Sequence, residues 1–386
     1  MRLALVHMRH AGTGGTERYL NLLSAHLACC GHEVTVVCRS HEAPSHKDVR
    51  FELLRPFAIG GAWRMVSFAR AVEAHVRRAN YDLVLGLGKT WTHDVLRMGG
   101  GCHGTYLERA HDSTLTTLER WTGKGRLKHR LALAIERRAL APGAFRRIVT
   151  NAEMVKRDVV ARYGVDPERV QVIYNGVDTA RFHPERRSNE GAELRASLGW
   201  SASERVVLFL GTGYGRKGLI RLLEAFAAVR PEHPEARLLV VGYDSARPAY
   251  EARARALGLA DTTRFLGGRR DTEAVYAASD LYVLPTHYDP FANSTLEALA
   301  AGLPVITTDA NGASELVERH VEGSVVSARA SRVGGGDELA AELRHWLQDA
   351  HLEPARAAAR TLAERHDARS KMEATETLLA SASGVE

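Results

Sequence analysis

The chain has 386 residues, of which 45% are hydrophobic and 25% charged, with a formal net charge of +6. At roughly 150 residues per domain this length argues for two domains, and the composition excludes a disordered or fibrous chain. No apolar run approaches the roughly 20 residues needed to cross a bilayer, and Met1–His7 is too short for a signal peptide, so a cytoplasmic protein is expected. The cysteines Cys29, Cys30, Cys38 and Cys102 show neither paired zinc-ligand spacing nor a disulfide framework; they are expected to be reduced and mostly buried.

Residues 2–6 read as a buried parallel strand, followed by the Gly12-Thr13-Gly14-Gly15 loop, a helix through Leu27 and a second strand over 32–38. This is a Rossmann-like opening. The glycine spacing is too short for the dinucleotide fingerprint, and no third glycine follows on the helix. Gly14 and Gly15 still allow backbone to come close to a phosphate or an acceptor. A helix over 62–79 and a strand over 82–86 lead to Gly99-Gly100-Gly101-Cys102-His103. A lone histidine is more often structural, but the crowded glycines make His103 a candidate site residue.

The segment from Arg120 to Arg147 holds nine Lys or Arg against one Glu. Such a surface suits nucleic acid, an anionic membrane or an acidic substrate, with a solvated helix face as the plainer alternative. It lacks the interleaved aromatics and signatures of nucleic-acid binders, so no nucleic acid is expected. A strand over 147–151, a helix over 152–163 and a strand over 170–174 complete a first domain over 1–177. Strands alternating with helices imply a parallel sheet.

The polar stretch 178–203 reads as a linker to a second domain over 204–360 that repeats the pattern. A strand over 205–210 is followed by Gly211, Gly213 and Gly215, then Arg216 and Lys217, and a helix over 219–229. Arg grips phosphate oxygens in a fork and Lys acts as a point charge, so this loop suits a diphosphate. No Lys-Ser/Thr ending marks a P-loop, which disfavours a nucleotide triphosphatase. Strands over 238–242, 263–267 and 280–285 follow, and 337–379 reads as helices, with a helix within 361–386 expected to return to the first domain.

Between His287 and Thr308, Asp289 and Glu297 flank a loop that turns into a helix. Asn293 and Ser294 are good capping residues, so free helix amides are expected between the two acids, where they attract anions. Two carboxylates around an anion-binding helix end suit a ligand carrying hydroxyls and phosphate, such as a nucleotide sugar; solvated acids beside an ordinary helix are the plainer reading. No Asp-x-Asp pair suits a magnesium-bound diphosphate, so no metal is expected.

Gly215-Arg216-Lys217-Gly218, the Asp289 and Glu297 pair with its Gly302–Thr308 tail, the Gly14-Gly15 loop and Asn175–Asp178 together resemble glycosyltransferase family 4 over nearly the whole chain. Within it, Gly213–Gly218, Val240–Ser245 and Tyr288–Phe291 are similar to the lipopolysaccharide-core glucosyltransferases. The resemblance implies an α/β protein of the GT-B architecture, two Rossmann-like parallel-sheet domains facing each other across a cleft. It implies a retaining, metal-independent transfer of a hexose from a nucleotide diphosphate sugar, UDP-glucose above all, to a lipopolysaccharide, lipid-linked or polysaccharide acceptor at the inner membrane face. The basic 120–147 segment would dock there, and no other cofactor is implied.

By the same resemblance Glu297 holds the ribose, Asp289 holds donor-sugar hydroxyls, and Phe291, Ala292, Asn293 and Ser294 offer amides to the donor. Arg216 and Lys217 neutralise the departing diphosphate, Gly14 and Gly15 sit beside the diphosphate or acceptor, and His103 lies near the transferred sugar. The family usually has Glu where Asp289 stands, which shortens that contact by one methylene. A nucleotide-sugar epimerase and a non-catalytic sugar-nucleotide binder are the alternatives.

Overall fold

A computed structural model describes residues 1–11, 14–42, 46–110, 124–329 and 336–384. The chain divides into two compact units. The first comprises Met1–Glu108, Leu115–Tyr174 and Arg369–Glu386; the second comprises Asn175–Ala368 with Arg109–Thr114.

In the first unit β1 (Arg2–Val6), β2 (Glu33–Cys38), β3 (Arg50–Leu53), β4 (Leu83–Gly86), β5 (Val95–Arg97), β6 (Arg147–Thr150) and β7 (Val170–Val172) form one parallel sheet in the order β3-β2-β1-β4-β5-β6-β7. Central β1 is apolar on both faces because both are covered, as parallel sheets require. Leu3 and Leu5 pack with Leu20, Leu23 and Leu27 of the helix Gly15–Cys29, while Ala4 and Val6 pack with Phe68 and Val72 of the helix Gly60–Val76. Met372, Leu378, Leu379 and Ala382, from the helix Ala368–Ser383, join the first of these clusters. A buried leucine there is worth about 1.5–3 kcal/mol, so this helix is part of the first core.

In the second unit β8 (Arg205–Leu210), β9 (Ala236–Val241), β10 (Thr263–Gly267), β11 (Leu281–Leu284), β12 (Val305–Thr308) and β13 (Gly323–Val326) form a parallel sheet ordered β10-β9-β8-β11-β12-β13. Each sheet thus starts at a central strand, runs outward one way, then returns to the other side of that strand. The reversal falls between β1 and β4 in one unit and between β8 and β11 in the other. Ligands of open α/β sheets bind outside the carboxyl ends of the strands at this reversal.

The stretch 178–203 is not a linker. It contains a 3-10 turn, Pro184–Ser188, and the helix Glu190–Ser197, both within the second unit. Part of its polarity comes from two arginines, Arg187 and Arg195, that satisfy a buried carboxylate rather than solvent. Asp280, 1% exposed, accepts from Arg187, from Arg195 at 2.5 Å, from Arg356 at 2.9 Å and from the Val206 amide at 2.8 Å. The cysteines also differ from expectation: all are free, Cys38 and Cys102 are buried, but Cys29 and Cys30 are exposed because they close a helix at the surface. Among the described residues no helix is long and apolar enough to cross a membrane.

Candidate active site

The turn after β8 requires its glycines. Gly213 and Gly218 have φ of 79° and 80°, and a Cβ on Gly218 would lie 2.0 Å from the Pro285 carbonyl oxygen. Between them Tyr214–Lys217 makes a single helical turn, held by the Tyr214 amide donating to Asp244 at 2.6 Å. The Arg216 carbonyl accepts from the His287 amide at 2.9 Å and from the Thr286 hydroxyl at 3.0 Å. These bonds fasten the turn to the segment after β11, so the two loops flanking the sheet reversal become one site.

Arg216, Lys217 and Asp289 meet there. Lys217 Nζ donates to Asp289 Oδ2 at 2.6 Å, and Arg216 Nη1 donates to the same oxygen at 2.9 Å and to the Tyr288 carbonyl at 2.8 Å. Lys217 and Asp289 are buried, while the Arg216 side chain keeps 30% of its surface exposed. Burial by itself would raise the Asp289 pKa, but the Lys217 and Arg216 cations outweigh it and hold the carboxyl at about 2. Desolvation pulls the Lys217 ammonium pKa down, and the Asp289 carboxylate opposes that. With one carboxylate against two cations, the cluster carries a net positive charge.

The helix Asn293–Ala300 starts differently from the expectation. Its N-cap is Ala292, and neither Asn293 nor Ser294 caps it. Side chains from neighbouring loops bond the two amides just before the helix: Asp289 Oδ1 accepts from the Phe291 amide at 3.1 Å, and Asn311 Oδ1 accepts from the Ala292 amide at 3.0 Å. Asn311 is fixed in turn by donating to Thr295 and Thr307 at 3.1 and 2.9 Å. The amides of Phe291 and Ala292 are therefore already bonded. Asn293 instead accepts from Asn175 at 2.7 Å, and Ser294 accepts from the Tyr282 hydroxyl at 2.7 Å. Asn311, Thr295 and Tyr282 are residues of this helix end that sequence reasoning missed. Nothing in the sequence sets Asn311 apart, since it stands among the polar and small residues of Thr307–Glu315.

Glu297 lies one helical turn further on, 7% exposed, with Oε2 accepting from the Tyr276 hydroxyl at 2.9 Å. A buried carboxylate fixed by a buried phenol is positioned to accept hydroxyl hydrogen bonds.

In the first unit His103 begins the helix His103–Ala110. Its amide donates to both Glu136 oxygens, at 3.0 and 2.9 Å, and Glu136 also accepts from the Tyr163 hydroxyl. Its ring Nε2 lies 3.0 Å from His129 Nδ1. Burial, the facing His129, Lys89 and Lys128 all disfavour a charged ring and pull its pKa down to about 4. His103 is therefore neutral at pH 7. Lys89, at the carboxyl end of β4, was missed by sequence reasoning; it has φ of 59°, which is rare for a residue with a side chain.

Gly14, with φ of 106°, precedes the helix Gly15–Cys29 and leaves room for Glu17: a Cβ there would lie 2.2 Å from Glu17 Oε2. A carboxylate over this helix end repels phosphate and welcomes hydroxyls. Gly12 lies outside the described residues.

Residues 120–123 of the basic segment also lie outside the described residues; the rest forms the helix Lys124–Ala139, the loop after it and the start of β6. Part of its charge is used internally, since Arg138 pairs with Glu73 at 3.0 Å and Arg146 with Asp94 at 3.2 Å. Lys128, Arg130 and Arg137 are exposed.

Two doubly wound units, with a cation-carboxylate cluster and a buried glutamate at the reversal of the second, define a glycosyltransferase of the GT-B architecture. Residues 13–181 match Glycosyltransferase Family 4 and residues 191–364 match Glycosyl transferases group 1, and the chain belongs to the glycosyltransferases that combine these domains. It is 28% identical over 320 residues to the lipopolysaccharide glucosyltransferase WaaG of Escherichia coli K12, covering 81% of this chain and 82% of that protein. A crystal structure of WaaG, a glycosyltransferase involved in lipopolysaccharide biosynthesis, superposes with a TM-score of 0.81 at 26% identity, covering 98% of this chain and 99% of that one. The Anabaena protein HepE in complex with UDP-glucose shares the fold, with a TM-score of 0.71 at 21% identity over 99% of this chain and all of that one.

Proposed function

We propose that the chain is a retaining hexosyltransferase that moves glucose from UDP-glucose to a lipopolysaccharide or other glycolipid or polysaccharide acceptor. The observation that carries this reading is the meeting of Arg216, Lys217 and Asp289 at the sheet reversal of the second unit, with Glu297 on the helix that follows. The UDP-glucose complex of HepE and the lipopolysaccharide role of WaaG support the donor and the acceptor class.

Cleaving the bond between the sugar and the diphosphate builds negative charge on the leaving oxygen and positive character on the ring. Arg216 and Lys217 are preorganised to meet the first without a metal, and such fixed charge at a leaving group is the main source of acceleration in reactions of this kind. Asp289, already their counter-ion, holds donor hydroxyls, and Glu297 holds the ribose. Phe291 and Ala292 line the donor through side chain and backbone carbonyl rather than through amide hydrogens, while Asn293 and Ser294 face its phosphates. On the retaining path the departing phosphate takes the acceptor's proton on the face it leaves. His103, kept neutral, meets a sugar hydroxyl, and Glu17 beside Gly14 and Gly15 turns that loop toward acceptor hydroxyls rather than diphosphate. Lys128, Arg130 and Arg137 would draw the cytoplasmic enzyme to an anionic membrane, which salt-sensitive sedimentation with anionic vesicles would report.

The test is a thermal-shift screen of nucleotide sugars followed by transfer to glycolipid acceptors. A donor at 100 times its dissociation constant adds about 2.7 kcal/mol of stability. Absence of stabilisation by any nucleotide sugar overturns the reading. Epimer formation without acceptor would assign the chain to an epimerase, and saturable binding without transfer or hydrolysis would make it a binder.

A further inference from the structure

We propose that His26, Cys30 and Glu376 form a zinc site that pins the helix Ala368–Ser383 to the helix Gly15–Cys29 within the first unit. His26 and Cys30 are four residues apart at the end of one helix, so both project from the same face. Glu376 approaches from the other helix. One ligand atom from each of the three lies within 4.8 Å of the others: His26 Nε2 is 2.8 Å from Glu376 Oε2 and 3.8 Å from Cys30 Sγ.

Tetrahedral zinc, with bonds of ~2.1 Å to nitrogen and oxygen and ~2.3 Å to sulfur, sets its ligand atoms about 3.4–3.6 Å apart. Relative to the His26 ring nitrogen the thiol therefore needs to close by only a few tenths of an ångström, and the carboxylate to withdraw by about 0.6 Å. Both are rotamer-scale adjustments of partly exposed side chains. One nitrogen, one sulfur and one oxygen make a donor set for zinc, whereas magnesium and calcium require oxygen ligands.

A fourth residue supports the site from behind. His32 Nε2 lies 2.9 Å from Glu376 Oε1, so it holds the carboxylate oxygen not used for the metal, and its Nδ1 is 3.3 Å from the Met1 amino nitrogen. Such outer partners orient metal-bound carboxylates and tune affinity. Cys30 already faces both partners, its sulfur 3.8 Å from the His26 ring nitrogen and its thiol hydrogen-bonded to Glu376, so all three ligand groups converge on one point that an ion would occupy. Binding replaces the Cys30 thiol proton, which leaves to solvent, and puts the His26 proton on Nδ1. Cys30 is exposed, so the ion has a path in, and water fills the fourth position.

The experiment uses the full chain, stripped with chelator and titrated with zinc against a chromophoric competitor, with cobalt as a spectroscopic stand-in. The expected result is one metal per chain with a dissociation constant near or below micromolar, release of about one proton, and a cobalt spectrum with a thiolate charge-transfer band. Cys30→Ser abolishes that band, and Cys30→Ser, Glu376→Gln and His26→Asn each weaken binding at least tenfold. His32→Gln weakens it less, and Cys29→Ser leaves it unchanged. Zinc raises the unfolding midpoint of the parent chain and not of Cys30→Ser, whose apo form unfolds like the parent. Binding that is absent from the parent chain, or that Cys30→Ser and Glu376→Gln leave at the parent's affinity, overturns the proposal.

Discussion

Replacing Asp289 by Asn removes the carboxylate that neutralises Lys217 and Arg216, and its cost can be worked out in two ways. The Lys217 side chain is 8% exposed, so the variant leaves a buried ammonium without its counter-charge. Breaking one partner of a buried pair costs about 3–5 kcal/mol, and the lower end applies because the Asn oxygen still accepts one hydrogen bond. The second route uses the Asp289 pKa, about 2 against an ordinary 3.8. At about 1.36 kcal/mol per pH unit this difference converts to roughly 2 kcal/mol at neutral pH. Both point to a loss of about 2–3 kcal/mol in the unliganded protein. Native-state hydrogen exchange of the β8 and β11 amides reads the second unit by itself and should show this loss. UDP should stabilise the variant at least as much as the parent, since its phosphates supply the missing negative charge, while sugar transfer falls. A variant with parental stability would refute the buried-pair argument, and one that UDP no longer stabilises would refute the anion-binding role of the two cations.

Lys217→Met and Arg216→Gln should each lower kcat by about 10²–10³, as expected for groups that stabilise charge on a leaving group, measured with saturating donor. Glu297→Gln should weaken UDP binding about 10- to 100-fold, the loss of a charge-assisted hydrogen bond of about 1.5–3 kcal/mol, with a smaller effect on kcat; unchanged affinity by calorimetry would remove Glu297 from the site. Asp280→Asn should cost about 3–5 kcal/mol of stability while leaving kcat per folded molecule unaltered, because its partners are arginines of the scaffold. Acid should act in two windows. His103, held at about 4 in the folded chain against an ordinary 6.5, takes its proton earlier when unfolded, so its contribution declines as pH falls from 6.5 to 4. The Asp289 contribution is complete above its unfolded value and is lost as pH falls from 3.8 toward 2. His103→Gln should therefore reduce the slope of the stability profile in the upper window alone, where buried His93, also held at about 4, supplies a like contribution, as read by urea unfolding across pH.

The two-unit parallel architecture was legible because both cores are written as apolar runs alternating with amphipathic helices, and because Gly213 and Gly218 mark a turn only glycine can make. The short strands Arg50–Leu53 and Val95–Arg97 were not, since three or four residues carry no periodicity. The residue types at the second-unit site were also legible, but not their connections. Asn293 and Ser294 are chemically good caps, yet Asn175 and Tyr282 engage their side chains, and which carboxylate meets which cation is a matter of tertiary geometry. Arg187 and Arg195 made 178–203 look like a solvated linker because a sequence does not show that their partner, Asp280, is buried. His26 and exposed Cys30 similarly gained Glu376 only when a helix some 350 residues further along the chain came to rest beside them.

The placement of that helix bears on how the protein is made. The second unit is almost wholly one continuous run, Asn175–Ala368, whereas the core of the first unit needs Met372, Leu378 and Leu379 from the far end. During synthesis the first unit emerges first but must wait with part of the Leu3–Leu27 surface uncovered, while the second unit can close on itself. The nascent chain therefore presents an apolar face to chaperones until residue 382 has cleared the ribosome, and a truncation before Met372 would leave that face open permanently.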